Sequence, residues 1–298
     1  MASAQSRSPD DANPEPALTP GLYLVATPIG NLEDITLRAL RVLKSADLIA
    51  CEDTRQTQKL LNHYGIGTRT TSYHEHNEMT RAPELVVEME QGARIALVTD
   101  AGMPGISDPG FRLITLAIRH HLPVVPIPGA SAFLAALVAS GLPTDSFRFS
   151  GFLPAKQGQR RAFLETIRDS PRTQVLYEAP HRLKDALDDV VEVLGPDRRV
   201  VVAREVTKRH EEFLRGRADE AVEALKARGE IKGEVTLLIG KPEEAKTHVG
   251  SDARPPIRQR LDRIMAEERL DEKAALKKLA KEMGISKSAA YRELQRSK

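Results

Sequence analysis

The sequence predicts an α/β protein with two domains, a ligand cleft between them, and a small helical extension at its carboxyl end. Short apolar runs alternate with helical patterns in two consecutive series, which is typical of sheets covered by helices. A polar stretch then separates the second series from a basic segment with helical periodicity.

The first series predicts a mainly parallel sheet with helices on both of its faces. Its strand candidates are four apolar runs, at residues 22–26, 48–51, 95–99 and 124–127. Between them, apolar side chains recur at helical spacing around Leu37 and Leu40 and again around Leu85 and Met89. This alternation indicates a first domain over residues 21–127.

The second series is smaller and indicates a second domain over residues 128–242. Its strand candidates are 175–177, 200–203 and 235–239, and its helical patterns cover 133–139, 160–168, 183–194 and 219–227. Residues 1–20 contain four prolines and no apolar core, so we expect a disordered leader there. We expect a linker over residues 243–256 and a helical basic tail over residues 257–298.

The composition of the 298 residues is that of an ordinary globular protein, with a formal net charge of +2. No apolar run approaches the roughly 20 residues that span a bilayer, so we expect a cytoplasmic protein. Cys51 is the single cysteine, which excludes an internal disulfide framework. Residues 251–298 contain 13 Lys and Arg against 8 Asp and Glu, so this end is the expected contact for a polyanion.

The most informative segment is Thr99-Asp-Ala-Gly-Met-Pro-Gly-Ile-Ser-Asp-Pro-Gly110, which directly follows a strand candidate. Its three glycines permit close approach of the backbone to a ligand, and its two prolines stiffen the turn. Open α/β sheets bind ligands at the carboxyl ends of their strands. The segment contains neither a dinucleotide fingerprint nor a Walker sequence, and a plain strand-to-helix turn is the alternative.

Three further polar clusters, at residues 27–36, 52–55 and 74–78, are placed at the same edge of the predicted sheet. Turns and helix caps explain part of this pattern, and a binding site explains the rest. His74, Glu75 and His76 do not have the spacing of a zinc-binding helix, so we expect no metal. No Gly-x-Ser-x-Gly sequence occurs, which argues against a serine hydrolase.

Charged segments of the second domain are also expected at the cleft. Residues 177–182 and 203–212 each end a strand candidate, although Glu205 and Lys208 could equally form a surface ion pair. The loop that ends at Lys156, with Arg160 and Arg161 close behind, is basic and suited to contact with phosphate groups.

The basic tail has a pattern that resembles a helix-turn-helix. An apolar stripe ends at Gly284, and Ser286 precedes a second helical segment over residues 287–294. Lys287 and Arg292 in that segment are candidate contacts to nucleic acid. A plain helical hairpin is the alternative structure for this region.

Seven motifs occur in order over residues 21–241: Thr27-Pro-Ile-Gly-Asn-Leu32, Cys51-Glu-Asp-Thr-Arg55, His74-Glu-His-Asn-Glu78, the Asp100-Ala-Gly loop, Pro128-Gly-Ala-Ser131, Gly151-Phe-Leu-Pro-Ala-Lys156 and Tyr177-Glu-Ala-Pro-His-Arg-Leu183. Together they resemble the tetrapyrrole methylase family and, within it, the members that methylate small-subunit ribosomal RNA. The basic tail is similar to an extra carboxyl-terminal region found in many of those members.

The resemblance implies the two-domain tetrapyrrole methylase fold, S-adenosylmethionine bound in the cleft, no metal, and a homodimer. It also implies the reaction, which is methylation of the ribose 2′-hydroxyl of a cytidine in the decoding region of 16S ribosomal RNA within the small ribosomal subunit. The cofactor-binding residues that it implies are Ile29, Gly30, Asp100, Ala101, Gly102, Met103, Pro104, Ile106, Gly129, Ser131, Ala132, Tyr177, Ala203, Gly233 and Glu234.

Methyl transfer from a sulfonium is an in-line displacement, and a positioned base can assist a weakly nucleophilic hydroxyl. The candidate catalytic residues are Glu205, Glu178 and Asp53 as bases, with Lys208, Arg204 and Arg55 as partners of a phosphate or alkoxide. Two other functions stay open on the sequence alone: a tetrapyrrole methyltransferase with the same fold and cofactor, and a DNA-binding regulator whose tail reads duplex DNA.

Overall fold

Two five-stranded sheets organise the chain up to its carboxyl-terminal unit. The computed structural model describes residues 17–243, 257–268 and 270–282, together with residues 286, 288, 290, 291 and 294. The expected leader lies outside the described residues up to residue 16, and the expected linker lies outside them from residue 244.

The first sheet is parallel throughout, in the strand order β3-β2-β4-β1-β5. Its strands are β1 (Gly21–Val25), β2 (Leu48–Cys51), β3 (Thr70–Ser72), β4 (Arg94–Val98) and β5 (Val124–Ile127). The four helices that follow are α1 (Leu37–Ser45), α2 (Thr54–His63), α3 (Glu78–Glu90) and α4 (Phe111–Arg119). The predicted parallel sheet is confirmed.

Alternate residues along each strand of the first sheet point to opposite faces, and each face is covered by two helices. Tyr23 and Ala96 pack with α1 and α2 in one buried apolar cluster. Leu22 and Ile95 pack with α3 and α4 in another cluster on the opposite face. Both faces are therefore buried, which is why the central strands read as continuous apolar runs.

The second sheet is mixed, in the strand order β6-β7-β10-β8-β9. Its strands are β6 (Phe147–Phe152), β7 (Thr173–Glu178), β8 (Arg199–Arg204), β9 (Glu212–Arg217) and β10 (Val235–Ile239). Strands β6 and β7 are parallel, and the other pairs are antiparallel. Its helices are α5 (Ala132–Ser140), α6 (Gln157–Ile167), α7 (Leu183–Leu194) and α8 (Ala218–Lys226).

Helix α5 covers one face of the second sheet, and helices α6 to α8 cover the other. Ala136 and Leu137 of α5 pack with Val175, Val201 and Leu238 of the sheet. Ile29, from the loop after β1, belongs to the same buried cluster. Through this cluster the first ligand loop is packed directly against the second sheet.

The chain divides after Pro242 into two compact units. The predicted boundary between residues 127 and 128 falls inside the first unit and stays a prediction. In the second unit, α9 (Ile257–Glu268) and α10 (Glu272–Glu282) are described, and Leu261, Leu276 and Leu279 are buried together. The turn of the expected helix-turn-helix, at residues 283–285, lies outside the described residues.

Candidate active site

A cavity of about 390 Å³ lies between the carboxyl ends of β1 and β4 and the facing edge of the second sheet. Its size is within the range of sites that enclose a small organic ligand. Many of the residues predicted to bind the cofactor line this cavity, namely Ile29, Ala101, Gly102, Met103, Ile106, Ser131, Ala132, Tyr177, Gly233 and Glu234.

Backbone hydrogen bonds join the loop after β1 to the loop after β4. The amide of Thr27 donates to the carbonyl of Gly102 at 2.9 Å, and the amide of Gly102 donates back at 3.0 Å. Gly102 has a φ of +84°, which favours glycine, and the Thr27 hydroxyl donates to the Thr99 carbonyl at 3.0 Å. The two loops therefore form one rigid wall.

Aromatic side chains of the second sheet form part of the opposite wall. The ring of Tyr177 lies 5.5 Å from that of Phe152 and 5.0 Å from that of Phe149, measured between centroids. Burial, opposed in part by the backbone of Phe133, raises the pKa of Tyr177 to about 12. Tyr177 is therefore neutral at pH 7 and offers an apolar face and one hydroxyl.

Glu178 contributes a carboxylate to the cavity. Its Oε1 accepts from the Ala179 amide at 2.7 Å and lies 2.6 Å from the Arg182 guanidinium. Its Oε2 is buried and has no hydrogen-bond partner among the described residues. A buried acceptor without a partner is costly, so this oxygen is suited to accept a hydrogen from a bound ligand.

Some residues predicted to bind the cofactor do not line the cavity: Gly30, Asp100, Pro104, Gly129 and Ala203. Ala203 is fully buried in the cluster beneath α5, and its partner across the strand pair, Thr236, lines the cavity instead. Gly129 packs against Ala26, because a Cβ at Gly129 would lie 2.8 Å from the Ala26 Cβ. Ala203 and Gly129 thus have packing roles in the structure, and their contact with the cofactor stays a prediction.

Asp53, Arg55 and Arg204, predicted to be catalytic, do not line the cavity and are engaged elsewhere. Asp53 caps α2 by accepting from the Arg55 amide at 2.8 Å, and their side chains form an ion pair at 3.2 Å. Arg204 pairs with Glu212 at 3.1 Å. Each of these groups has a partner in the local structure, and their catalytic roles stay predictions.

Glu205 and Lys208 also lie outside the cavity lining and support the turn that contains Glu234. Glu205 Oε1 accepts from the Glu234 amide at 2.9 Å and from Lys208 Nζ at 3.0 Å. Burial alone would raise the pKa of Glu205, but these two hydrogen bonds and the positive charges of Lys208 and Arg204 together lower the pKa. A carboxylate with a lowered pKa is a weak base, so the geometry favours a positioning role.

Nine residues of the cavity lining were not among the predicted site residues: Ser107, Asp108, Phe133, Phe152, Ala179, Pro180, Val206, Val235 and Thr236. Asp108 is the one of these whose pKa is raised to about 6. Burial is the main cause, and the negative charges of Glu52 and Asp100 add to it. Asp108 could have been included among the predicted site residues, because it lies in the loop 99–110 that follows a strand candidate.

The predicted RNA contacts have different environments. Lys156 is exposed. The prediction for Arg160 is wrong, because its guanidinium is buried and lies 2.6 Å from Asp189. Arg161 is partly exposed and pairs with Asp189 at 2.7 Å. The remaining two predicted contacts, Lys287 and Arg292, lie outside the described residues.

Among the residues that the structure describes, no group of three or more His, Cys, Asp or Glu side chains is arranged to hold a metal ion. Within the same residues, no helix has both the length and the apolar character needed to cross a membrane.

The family model for Tetrapyrrole (Corrin/Porphyrin) Methylases matches residues 21–222. The chain belongs to the tetrapyrrole methylase family. It is therefore a methyltransferase, and the matched region includes the first sheet and every strand of the second sheet except β10. The predicted fold class is confirmed.

Relatives match this methylase over nearly its whole length. It is 50% identical over 272 residues to "Ribosomal RNA small subunit methyltransferase I" of Halalkalibacterium halodurans, covering 91% of this chain and 93% of the relative. The protein of the same name in Escherichia coli O157:H7 is 44% identical over 272 residues, with coverages of 91% and 93%.

Solved structures share the fold of this methylase at low sequence identity. A cobalt precorrin-4 methyltransferase superposes with a TM-score of 0.56 at 19% identity, covering 74% of this chain and 94% of that chain. Diphthine synthase superposes with a TM-score of 0.57 at 16% identity, covering 74% and 89%. At such identities the likeness establishes the fold alone.

Proposed function

We propose that this methylase transfers a methyl group from S-adenosylmethionine to the ribose 2′-hydroxyl of a cytidine in the decoding region of 16S ribosomal RNA. The observation that carries the proposal is the similarity to relatives named ribosomal RNA small subunit methyltransferase I, at 50% identity over 91% of this chain. The cavity between the two sheets supplies a site of suitable size for the cofactor.

The residues of the cavity fit S-adenosylmethionine. The apolar side chains of Ile29, Phe152 and Val206 suit an aromatic base and a thioether chain. The unpartnered Oε2 of Glu178 suits a hydroxyl or amino donor. Gly102 lines the cavity with its backbone alone, and a Cβ built there would be in van der Waals contact with Ile29 Cγ2 at 3.6 Å.

When bound, S-adenosylmethionine supplies a methyl group on a positively charged sulfur. The protein's part is to align the acceptor oxygen with that group, and such positioning contributes roughly 7 to 11 kcal/mol. The rigid pair of loops joined at Thr27 and Gly102 holds one side of the ligand. Lys208 and Glu205 hold the Gly233–Glu234 turn on the other side and are proposed to act as positioning residues.

The RNA substrate is proposed to contact exposed lysines. Lys156 is one of them, and α10 presents Lys273, Lys277 and Lys281 at a spacing of four residues, all exposed. Residues four apart lie on one face of a helix, so these three form a basic stripe. Exposed lysines bind RNA through its phosphates. Because the proposed substrate is part of the ribosome, we also propose that the enzyme is cytoplasmic.

We propose a homodimer that buries the outer side of α5. This helix contains no charged residue, and its Leu134 and Val138 are 44% and 75% exposed. Exposed apolar side chains four residues apart form a patch suited to a second copy of the chain. A Val138→Asp variant that stays dimeric by light scattering would contradict this interface.

The test is methyl transfer from labelled cofactor to purified small subunits that lack the modification. We expect one cytidine in the decoding region whose ribose becomes resistant to alkaline cleavage. Incorporation into a tetrapyrrole with none into the subunits would favour the corrin alternative. Specific binding of duplex DNA by the full chain, without methyl transfer to either substrate, would favour the regulator.

A further inference from the structure

A second cavity, of about 430 Å³, opens beside the first and is lined from α4 and from the segment that leads into α3. Asp108 lines both cavities. Besides Asp108, the charged and aromatic side chains that line the second cavity are Glu75, Glu78, Phe111, Arg112 and Arg119. The proposed cofactor site leaves this cavity without an assigned role.

These side chains match the parts of a nucleotide. Phe111 is 76% exposed, and an exposed aromatic ring is a platform on which a base stacks. Arg112 has a buried Nε without a hydrogen-bond partner among the described residues, and Arg119 is exposed, so both can meet phosphate or sugar oxygens. The carboxylates of Glu75 and Glu78 are acceptors of the type that read the amino group of cytosine.

Asp108 stands where the two cavities meet, and it has no hydrogen bond or ion pair with any described residue. Burial comes first among the causes that raise its pKa to about 6, followed by the charges of Glu52 and Asp100. The other titratable groups that line the two cavities with it are Tyr177, Glu178 and Glu234 in the first cavity and Glu75, Glu78, Arg112 and Arg119 in the second. Its carboxylate is therefore deprotonated at pH 7 and a stronger base than an ordinary aspartate.

We propose that the second cavity holds the nucleotide to be methylated and that Asp108 accepts the proton of its 2′-hydroxyl. This inference rests on the proposed function. In the step, the ribose O–H bond breaks and its proton passes to the Asp108 carboxylate. The oxygen forms a bond to the methyl carbon while the carbon–sulfur bond breaks, and that electron pair stays on sulfur as a neutral thioether.

The first experiment tests Asp108 in single-turnover methyl transfer to unmodified small subunits. We expect Asp108→Asn to lower the rate roughly 10²- to 10⁴-fold, the usual contribution of a general base. Because Asp108 also lines the cofactor cavity, the affinity of Asp108→Asn for S-adenosylmethionine is measured by calorimetry and the rates are compared at saturating cofactor. The wild-type rate should fall below about pH 6, and the residual rate of the variant should not. Asp188→Asn, at an exposed surface pair on α7, is the matched control.

The second experiment measures binding and needs no turnover. Removing the stacking ring with Phe111→Ala should weaken binding of the small subunit roughly 5- to 150-fold, with the product S-adenosylhomocysteine present. Ile118→Ala is the control, because Ile118 is exposed on the same helix and does not line the cavity. The cofactor affinity of both variants should match that of the wild type.

The outcomes separate this inference from the proposed function. If the wild type transfers no methyl group to small subunits, the proposed function fails and the nucleotide site fails with it. If the wild type is active and Asp108→Asn keeps its rate and pH profile, only the role of Asp108 is overturned. Equal binding by Phe111→Ala and Ile118→Ala would likewise overturn the nucleotide cavity alone.

Discussion

Lys208 lies directly over Gly30, so that a Cβ built on Gly30 would sit 2.2 Å from Lys208 Cγ. The ammonium of the same lysine lies 3.0 Å from Glu205 and 3.2 Å from Glu234. Gly30 follows β1, whereas Glu234 precedes β10 and lines the cavity. The lysine therefore couples the loop of the first sheet to the turn beside the second.

Gly30→Ala should weaken cofactor binding. Gly30 has a φ of +156°, which side-chain-bearing residues rarely adopt, and the added methyl group must displace Lys208. We expect the unfolding free energy to fall by about 1–3 kcal/mol and the Kd for S-adenosylmethionine, measured by calorimetry, to rise roughly tenfold. Gly158→Ala is the control, since nothing lies within 4 Å of its added Cβ. Equal cofactor affinity in both variants would exclude this coupling.

The sequence predicted the buried strands well and most edge strands poorly. The bounds of β2 and β10 agree with the predicted runs, because most of their residues are apolar and buried. The edge strand β5 was also predicted with the observed bounds, because its residues are apolar although only Ile127 is buried. Strands β3, β6 and β9 were missed, and each lies at the edge of a sheet. An edge strand has fewer neighbours to bury it, so polar residues are tolerated and the apolar signal is lost.

The loops of the candidate site could be predicted from the sequence, but the pairing of its charged side chains could not. Motifs identified the loops that line the cavity, because backbone conformation there depends on local Gly and Pro residues. They did not identify which charged groups are free to react. Arg160 and Asp189 are 29 positions apart in the chain, and only the packing of α6 on α7 brings them together. Partners so distant in sequence leave no local pattern.

Asp189→Asn should destabilise the fold strongly. The Arg160 and Asp189 side chains are 5% and 1% exposed, and Gln157 and Arg161 also donate to this carboxylate. Neutralising it leaves Arg160 as a buried charge without its counterion, which costs about 3–5 kcal/mol. Urea unfolding followed by circular dichroism measures the loss. Glu192→Gln, at an exposed pair with Arg161, should change stability by less than about 1 kcal/mol. A similarly small effect of Asp189→Asn would refute the structural role.

Asp47 should make stability depend on acid pH. Its carboxylate accepts from the Arg94 amide and side chain at 2.8 Å, and the Arg94 hydrogen bonds lower the pKa of Asp47 to about 2 from an ordinary value of 3.8. A lowered native pKa stabilises the fold above about pH 4, and this contribution is lost as the pH falls towards 2.

The variant Asp47→Asn isolates this contribution. Because the pair is about one-third exposed, solvent screening limits the expected loss of unfolding free energy to about 1 kcal/mol at pH 7. The difference from wild type should shrink between about pH 4 and pH 2 in urea titrations. Asp188→Asn should show no such trend. A difference for Asp47→Asn that stays constant with pH would contradict the assigned cause.

The basic stripe on α10 should determine part of the salt dependence of RNA binding. Each phosphate contact adds roughly 0.7–0.9 to the slope of log Kd against log salt concentration, because counterions are released from the RNA. Replacing Lys273, Lys277 and Lys281 with Gln should therefore lower the slope by about 2 to 3. The substitutions should spare the helix, since its buried side is formed by Ala275, Leu276, Leu279 and Ala280.

Replacing the exposed Lys44 and Lys59 with Gln gives the control, because these lysines lie on α1 and α2. These two substitutions remove positive charge from the chain but leave the basic stripe on α10 unchanged. A small-subunit binding series from 50 to 300 mM salt compares the two sets of variants. If both sets lower the slope equally, the effect comes from net charge and the stripe has no specific contact. If only the α10 set lowers it, the carboxyl-terminal unit binds the RNA backbone.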